Sequence, residues 1–294
     1  PLIFLRRYRL RSGPREKSFD NFQIQACSRC GICLDPCQLQ RDLGLDNVQS
    51  VYFLRDRRYG KLTDEVLGNC LMCGLCEARC PVGIELNVLR LNSRQKRVDS
   101  PALMRYDYLK GAGRSSGSGK VGYFAGCMTL LTPATLQAME KIFAAAGEEV
   151  WWADRDGGSC CGRPLKLSGE VNAAERIMER NKELFRKHGI ATLVTSCPIC
   201  LKVFREDYAL EGIEVLHHTE YILRLMRAGR LDVERTPDTF TYHDPCELGR
   251  GSGIYEEPRE LIRSVGRLTE PAHHGAEALC CGSSLANTVI DDGQ

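Results

Sequence analysis

The sequence lacks a segment that could serve as a transmembrane helix, and it lacks a nucleotide-binding loop. Its apolar runs, such as LIFL at residues 2–5, stop far short of the ~20 residues that a membrane span needs, and no signal-peptide pattern occurs. The glycine-rich GRSSGSGK is not a phosphate-binding loop, because Arg114 and Val121 stand where that motif requires glycine and a hydroxyl residue. The formal net charge is only +2, which gives no argument for nucleic-acid binding.

Positive charge is concentrated at the start of the chain. We interpret LIFLRRYRLR as a basic surface that contacts a partner. The alternative is the basic exit of a membrane span that would precede Pro1. The basic residues are Arg6, Arg7, Arg9, Arg11, Arg15 and Lys17, against the acidic Glu16 and Asp20.

Cysteine is the outstanding feature of the composition, with 16 residues. Disulfide frameworks of this density belong mostly to small secreted domains that cannot bury a sufficient core. A chain of 294 residues has room for two or three domains with cores of their own, so we predict that the cysteines bind metal. If they ligate iron as thiolates, the loaded protein is acidic despite its formal charge.

Two matching cysteine runs occupy the first third of the chain. Each follows C-x2-C-x2-C-x3-C, the pattern of two-cluster ferredoxins, in which the fourth cysteine of one run ligates the cluster of the other. A zinc site needs two separated C-x2-C pairs and leaves the remaining cysteines of each run without a role. The pattern predicts two [4Fe–4S] clusters, the first held by Cys27, Cys30, Cys33 and Cys80 and the second by Cys70, Cys73, Cys76 and Cys37.

The segments around these runs favour helices over hairpins. NVQSVYFLRDRRYG keeps its apolar residues at helical spacing, Thr63 is a candidate N-cap, and the apolar residues of IELNVLRLN do not alternate strictly. Residues 1–97 therefore resemble the α-helical ferredoxin domain of succinate dehydrogenase iron–sulfur subunits. The Gly/Ser-rich residues 98–120 are expected to be a linker.

Strands and helices alternate from residue 121 onwards. VGYFAG, EVWWA and ATLVTS are expected to be strands. ATLQAMEKIFAAAG and GEVNAAERIMERNKELFRKHG are expected to be amphipathic helices that stop at Gly147 and Gly189. This alternation predicts an α/β domain with a parallel sheet.

Five cysteines follow the strands of this domain. Cys127 and Cys197 come at the carboxyl ends of the first and third strands, the edge where open α/β sheets bind ligands. The SCCG sequence lies on a loop after the second strand, where its glycine permits a backbone conformation that other residues resist. We expect one iron site to gather Cys127, Cys160, Cys161, Cys197 and Cys200.

The pattern then begins again. FTYHDPC leads into Cys246 as VGYFAGC leads into Cys127. The LCCG sequence at Cys280 and Cys281 corresponds to the SCCG sequence at Cys160 and Cys161. We interpret this as an internal repeat, with residues 121–235 as the first domain and residues 236–294 as an incomplete second one. The second C-x2-C pair would fall beyond Gln294, so either it follows this residue or the second copy has none.

The motif C-x32-CCG-x34-C-x2-C, repeated after a two-cluster ferredoxin, resembles the cysteine-rich CCG family over nearly the whole chain. This family includes catalytic subunits of heterodisulfide reductases and iron–sulfur subunits of anaerobic glycerol-3-phosphate, glycolate and lactate dehydrogenases. In the heterodisulfide reductases, each complete motif binds a non-cubane [4Fe–4S] cluster through five cysteines. The resemblance implies a cluster, cubane or non-cubane, at the first motif, and it leaves Cys246, Cys280 and Cys281 as partial ligands for another.

The resemblance implies an iron–sulfur oxidoreductase subunit of a larger complex. A flavoprotein partner is expected, because two-electron donors must be split before clusters can carry single electrons and no nucleotide fingerprint occurs here. Electrons would pass through the two ferredoxin clusters to the CCG cluster, which in one hypothesis reduces a disulfide-type substrate, as in heterodisulfide reductase. In the alternative, the chain only relays electrons from a dehydrogenase to a quinone or a membrane cytochrome subunit. We expect a cytoplasmic protein, and the relay would attach it to the inner face of the membrane.

Two further residues are candidates for a role in catalysis. His243 lies three positions before Cys246 in YHDPC, where it could donate a proton to a substrate, although a histidine at a strand end is more often a hydrogen-bonded structural residue. Arg163 follows CCG directly and is a candidate partner for the charge of a cluster or of an anionic substrate.

Overall fold

A computed structural model describes residues 17–37, 66–95, 114–130, 132–155 and 159–282, together with positions 39 and 44. The helix expected before Gly60, the cap expected at Thr63 and most of the expected linker lie outside these residues. Within them, no helix is both long enough and apolar enough to cross a membrane.

The ferredoxin runs lie among short helices. The helices are α1 (Lys17–Ala26), α2 (Leu75–Ala78) and α3 (Leu86–Gln95), and residues 66–69 form one further helical turn. Leu86 and Leu89 of α3 pack with Ile84 and Cys76 in a small core. The described residues before position 96 contain no strand, so the expectation of helices rather than hairpins is confirmed for this part of the chain.

A parallel four-stranded sheet forms the centre of the first cysteine-rich unit, with the order β2-β1-β3-β4. The strands are β1 (Val121–Phe124), β2 (Val150–Trp152), β3 (Thr192–Thr195) and β4 (Glu214–His217). The three predicted strands and their parallel arrangement are confirmed. The fourth strand is an addition that the sequence analysis missed.

Helices cover both faces of this sheet. They are α4 (Gly126–Leu130), α5 (Pro133–Ala145), α6 (Arg163–Ser168), α7 (Val171–Lys187), α8 (Pro198–Glu206) and α9 (His218–Arg227). Helices α5 and α7 are the two that were predicted, and each is followed by its predicted stop glycine in the left-handed conformation. Neighbouring strand residues enter opposite cores, Phe124 and Trp151 on one face and Tyr123 and Trp152 on the other, because successive side chains of a strand alternate.

The second cysteine-rich unit is smaller in the described residues. It comprises β5 (Thr239–Thr241), α10 (Gly249–Ser252), α11 (Glu256–Val265), β6 (Arg267–Thr269) and a 3-10 turn (Gly275–Glu277). The parallel pair β5-β6 with α11 between repeats the order of β1, α5 and β2. Up to residue 282 no counterpart of β3 or β4 follows, so only the first part of the expected duplication is visible here.

A buried arginine at the end of α3 joins the helical unit to the first sheet unit. Arg94 donates to the carbonyl oxygens of Leu67 at 2.7 Å and Cys70 at 2.8 Å, and across the boundary to that of Leu167 at 3.0 Å. Leu167 belongs to α6, the helix that follows the CCG sequence. A Cβ at Gly169 would lie 3.0 Å from the Arg94 carbonyl oxygen, so the two units approach each other closely.

Candidate iron–sulfur sites

The first ferredoxin site combines cysteines from both runs. Cys27 and Cys33 of the first run line one small cavity together with Cys80 of the second. The fourth cysteine of the second run therefore lies beside two cysteines of the first run. Cys30 of the first run is exposed, and backbone and side-chain hydrogen bonds from Ile32 and Ser28 lower its pKa.

A buried arginine side chain lies at the second ferredoxin site. Arg90 on α3 is 3% exposed, and its Nη1 donates to the Cys76 sulfur at 3.4 Å. Burial opposes the charge of Arg90, but the nearby Cys70, Cys76 and Cys37 raise its pKa. Burial also raises the pKa of Cys76 to about 12, against the effect of Arg90. Cys37 of the first run thus lies in the electrostatic environment of the second run.

The two runs share an unusual backbone conformation. Arg29 and Met72 occupy equivalent positions and have φ angles of 58° and 53°, which side chains rarely adopt and which cost about 1–3 kcal/mol each. In this conformation, the amide of Arg29 donates to the Cys27 sulfur and that of Met72 to the Cys70 sulfur, both at 3.4 Å. Amide donors to cysteine sulfur are a main influence of a protein on a bound cluster. The residues present therefore fit [4Fe–4S] clusters.

The structure brings the five cysteines of the first CCG motif together. Their sulfurs form a continuous series of hydrogen-bonded contacts, and all but Cys127 are at most 4% exposed. The order of the contacts is Cys127, Cys160, Cys161, Cys200 and Cys197.

These contacts shift the pKa values of the buried thiols in opposite directions. Hydrogen bonds from Cys160 and Cys200 lower the pKa of Cys161 to about 6, and a hydrogen bond from Cys200 lowers the pKa of Cys197. Cys200, which donates to both, has its pKa raised. Each of the five thiols therefore has a neighbouring sulfur of the same motif as a hydrogen-bond partner.

Two buried polar residues that sequence analysis missed hold the CCG loop. Asn181 of α7 donates its amide to the Cys160 carbonyl oxygen at 2.8 Å and to the Tyr208 hydroxyl oxygen at 2.8 Å. The Tyr208 hydroxyl in turn donates to the Cys161 carbonyl oxygen at 3.1 Å. Asn181 lies on the buried face of α7. An asparagine on the buried face of a predicted amphipathic helix was the one feature of the sequence that could have pointed to this role of Asn181.

Replacing Gly126 by alanine is expected to disturb the first CCG site specifically. A Cβ at this position would lie 2.8 Å from the Cys200 sulfur, and φ is +74°. Gly147→Ala is the matched control, since its φ is +61° but no atom lies within 4 Å of the new Cβ. Both variants carry backbone strain of about 1 kcal/mol, but only Gly126→Ala should lower the iron content and the visible absorbance per chain. Equal iron content in the two variants would contradict this placement of Gly126.

The second CCG motif is only partly assembled. Cys246 and Cys280 are hydrogen-bonded to each other, whereas Cys281 is exposed. Gly282 has a φ of 80°, close to the 88° of Gly162 in the first motif, so the two CCG turns share a conformation. The Nε2–H of His243 donates to the Leu279 carbonyl oxygen at 2.9 Å, a contact that positions the start of this turn.

Arg163 lies between the two cysteine-rich units. It is buried, and its Nη2 donates to the Glu247 carboxylate at 3.0 Å, next to Cys246. Burial opposes the charge of Arg163, but Glu247 and Asp207 raise its pKa, with a smaller contribution from Cys161. The candidate for anion binding therefore has a carboxylate partner in this structure.

Comparison with known protein families matches the same regions. The family model described as a 4Fe-4S dicluster domain matches residues 23–84. The model described as a cysteine-rich domain matches residues 121–205 and again residues 240–293. No solved structure matches the chain.

Several curated proteins are similar over most of the chain. One subunit of the fumarate reductase (CoM/CoB) of Methanothermobacter marburgensis is 28% identical over 90% of this chain and 60% of its own length. One subunit of the dihydromethanophenazine:CoB–CoM heterodisulfide reductase of Methanosarcina barkeri is 25% identical over 89% of this chain and 78% of its own length. EtfAB:quinone oxidoreductase of Syntrophomonas wolfei is 29% identical over 45% of this chain. The chain thus spans less than two thirds of the first of these relatives.

Proposed function

We propose that this chain reduces a disulfide-type substrate. It is an iron–sulfur protein with a 4Fe-4S dicluster domain and cysteine-rich CCG units. It is related to iron–sulfur subunits of heterodisulfide reductase and of CoM/CoB fumarate reductase. In this proposal, a flavoprotein partner supplies electrons to the ferredoxin sites. The first CCG site, with its five cysteines, receives them and acts on the substrate.

The observation that carries this proposal is the graded burial of the cysteine sites. Cys30 at the first ferredoxin site is exposed, so a partner can approach it. Cys70 and Cys76 of the second site are buried, and α3, whose Arg90 and Arg94 contact them, packs on α6 beside the first CCG motif. This order provides a direction, from a surface that a donor can reach to an interior that it cannot.

The proposed chemistry balances as a two-electron reduction. Bound [4Fe–4S] clusters supply one-electron transfer, and two such transfers with two protons convert one disulfide into two thiols. Cys127 is the partly exposed member of the first CCG site, so the substrate would reach the site on its side. The buried Asn181 and Tyr208 hold the backbone of the site through their bonds to the Cys160 and Cys161 carbonyl oxygens.

A relay function is the second candidate. It is favoured by the burial of Cys160, Cys161, Cys197 and Cys200, which leaves only the Cys127 edge for a substrate. In this case the chain would pass electrons on to a quinone or a membrane-bound partner. Its similarity to part of a protein described as EtfAB:quinone oxidoreductase agrees with such a use of the same units.

Electron paramagnetic resonance of anaerobically purified protein separates the two functions. If the first CCG site acts on disulfides, adding a thiol together with a one-electron oxidant should produce a new paramagnetic species, because the oxidant removes one electron from the cluster while the thiol occupies the substrate position. Signals that are reducible by dithionite but unchanged by thiol or disulfide would support the relay. Zinc in place of iron would contradict both functions.

A further inference from the structure

Two adjacent histidines at one edge of the first sheet take no part in the sites described above. His217 ends β4 and His218 begins α9. Their ring centroids are 4.2 Å apart, and His217 is 3% exposed. Nε2 of His217 and Nδ1 of His218 are buried and make no hydrogen bond with the described residues. Each ring therefore keeps one nitrogen that is not occupied by a structural contact.

The pair lies near the first CCG site. Strand β4 runs beside β3, and His217 is in register with Thr195. The Thr195 hydroxyl oxygen accepts from the Cys197 amide at 3.2 Å. Neighbouring strands are about 4.8 Å apart and two residues span at most about 7 Å, so the Cα atoms of His217 and Cys197 lie within about 12 Å of each other. A charge taken up at the site therefore acts on the imidazoles through the low-dielectric interior.

Two hydroxyl groups extend this edge of the sheet towards β1. The hydroxyls of Tyr123 and Ser196 share a hydrogen bond of 2.7 Å, and Tyr123 is fully buried. Ser196 precedes Cys197, and its backbone also acts on His217. Hydroxyls and imidazoles both donate and accept protons. The carboxyl edge of the sheet thus carries such groups from β4 to β1, beside the cysteine that follows β3.

The surroundings keep both histidines uncharged at neutral pH. Burial lowers the pKa of His218 to about 4. Burial also lowers the pKa of His217, the charge of His218 and a smaller effect of Arg205 lower it further, and the Ser196 backbone opposes them. His217 is the N-cap of α9, and the positive end of a helix disfavours a cation there.

The charged groups around the pair are themselves paired. Arg205 of α8 donates to the Glu220 carboxylate of α9 at 2.9 Å, and the same carboxylate accepts from the His217 amide at 2.8 Å. Helix α11 packs against α9, but its Glu260 binds Arg227 at the far end of α9. The facing residue of β3 is uncharged. A change of charge at the first CCG site is therefore not masked by an unpaired ion beside the histidines.

We propose that the His217–His218 pair takes up a proton when the first CCG site takes up an electron. The inference rests on the proposed function. The electron comes from the ferredoxin sites and the proton from solvent, and no covalent bond other than the new N–H forms or breaks. Reduction of a disulfide to two thiols consumes two electrons and two protons, so the pair holds near the site the proton that each electron requires. A buried imidazole suits this use, because a nearby charge is enough to change its protonation.

The test is a redox titration of the full chain at several pH values, with the first CCG site followed by electron paramagnetic resonance. The added electron raises the pKa of the pair. Between the pKa values of the oxidised and reduced states, each tenfold fall in proton concentration should therefore lower the ratio of reduced to oxidised site about tenfold, or ~59 mV per pH unit for one electron. Above the pKa of the reduced state, the potential should not depend on pH. The double variant His217→Gln with His218→Gln should lose the slope and keep the potential of this upper range.

His188→Gln is the matched control. His188 is exposed, stacks on Trp151 and follows α7 at the amino edge of the same sheet, so its replacement should leave the slope unchanged. Because His217 also caps α9, His218→Gln is measured alone as well. It leaves the cap in place and should narrow the pH range of the slope.

Three results would overturn the inference. They are a wild-type potential that does not depend on pH, a double variant with full iron content that keeps the wild-type slope, and a loss of the slope in His188→Gln. Each of them leaves the response of the first CCG site to thiol intact and so spares the proposed function. A first CCG site that takes up no electron at any pH would instead refute the proposed function itself.

Discussion

Replacing Cys161 by serine is expected to remove the cluster of the first CCG site and leave both ferredoxin clusters in place. Cys161 is 2% exposed, and its sulfur contacts those of Cys160 and Cys200, so it is the centre of the five-cysteine series. A serine hydroxyl does not ionise near neutral pH and is a poor ligand for iron in a thiolate site. Iron analysis should show a loss of about four irons per chain, with the reducible ferredoxin signals unchanged.

Cys281→Ser is the matched control for this variant. Cys281 occupies the corresponding place in the second CCG motif, but its side chain is exposed. The control should keep the signals of the first CCG site. If Cys161→Ser retained all of its iron, the five cysteines would not hold a cluster together, and the proposal of substrate reduction at this site would lose its basis.

Replacing Arg90 by glutamine is expected to lower the midpoint potential of the second ferredoxin cluster by roughly 60–130 mV, which corresponds to the 1.5–3 kcal/mol of a hydrogen bond to a charged group. The guanidinium is buried and donates to the Cys76 sulfur. A buried positive charge stabilises the more negative, reduced cluster, so its removal favours the oxidised form. A redox titration followed by electron paramagnetic resonance measures the shift.

Arg94 provides the comparison for Arg90. It lies one helical turn further along α3 and is equally buried, but it donates to the carbonyl oxygens of Leu67, Cys70 and Leu167. Arg94→Gln should therefore lower the thermal stability and shift the potential less than Arg90→Gln does. Arg90→Lys should retain much of the wild-type potential. Equal shifts for Arg90→Gln and Arg94→Gln would mean that charge on α3, and not the bond to Cys76, sets the potential.

The parts of the fold that sequence predicted are those with strong local patterns. Strands β1, β2 and β3 are short apolar runs next to amphipathic helices, and their helices end at glycines with positive φ. Strand β4 was missed because α9 begins at the next residue, His218. No loop signal separates the two elements, so neither periodicity was visible.

The candidate sites show the same division between local pattern and tertiary contact. Cysteine spacing predicts an exchange of Cys37 and Cys80 between the runs, and the structure places Cys80 at one cavity with Cys27 and Cys33. Spacing gave no indication of Arg90 or Arg94, because charged residues on a short helix are ordinarily solvated.

The bonds of Arg94 also determine what kind of electron carrier this protein is. Separating α3 from α6 would break the hydrogen bond from Arg94 to the Leu167 carbonyl oxygen, and a hydrogen bond that involves a charged group contributes about 1.5–3 kcal/mol. A domain that swings on a tether between donor and acceptor would incur this cost in every cycle. The two units are instead suited to work as a fixed conductor, in which the packing of the protein, and not the diffusion of a mobile arm, sets the distance that each electron crosses.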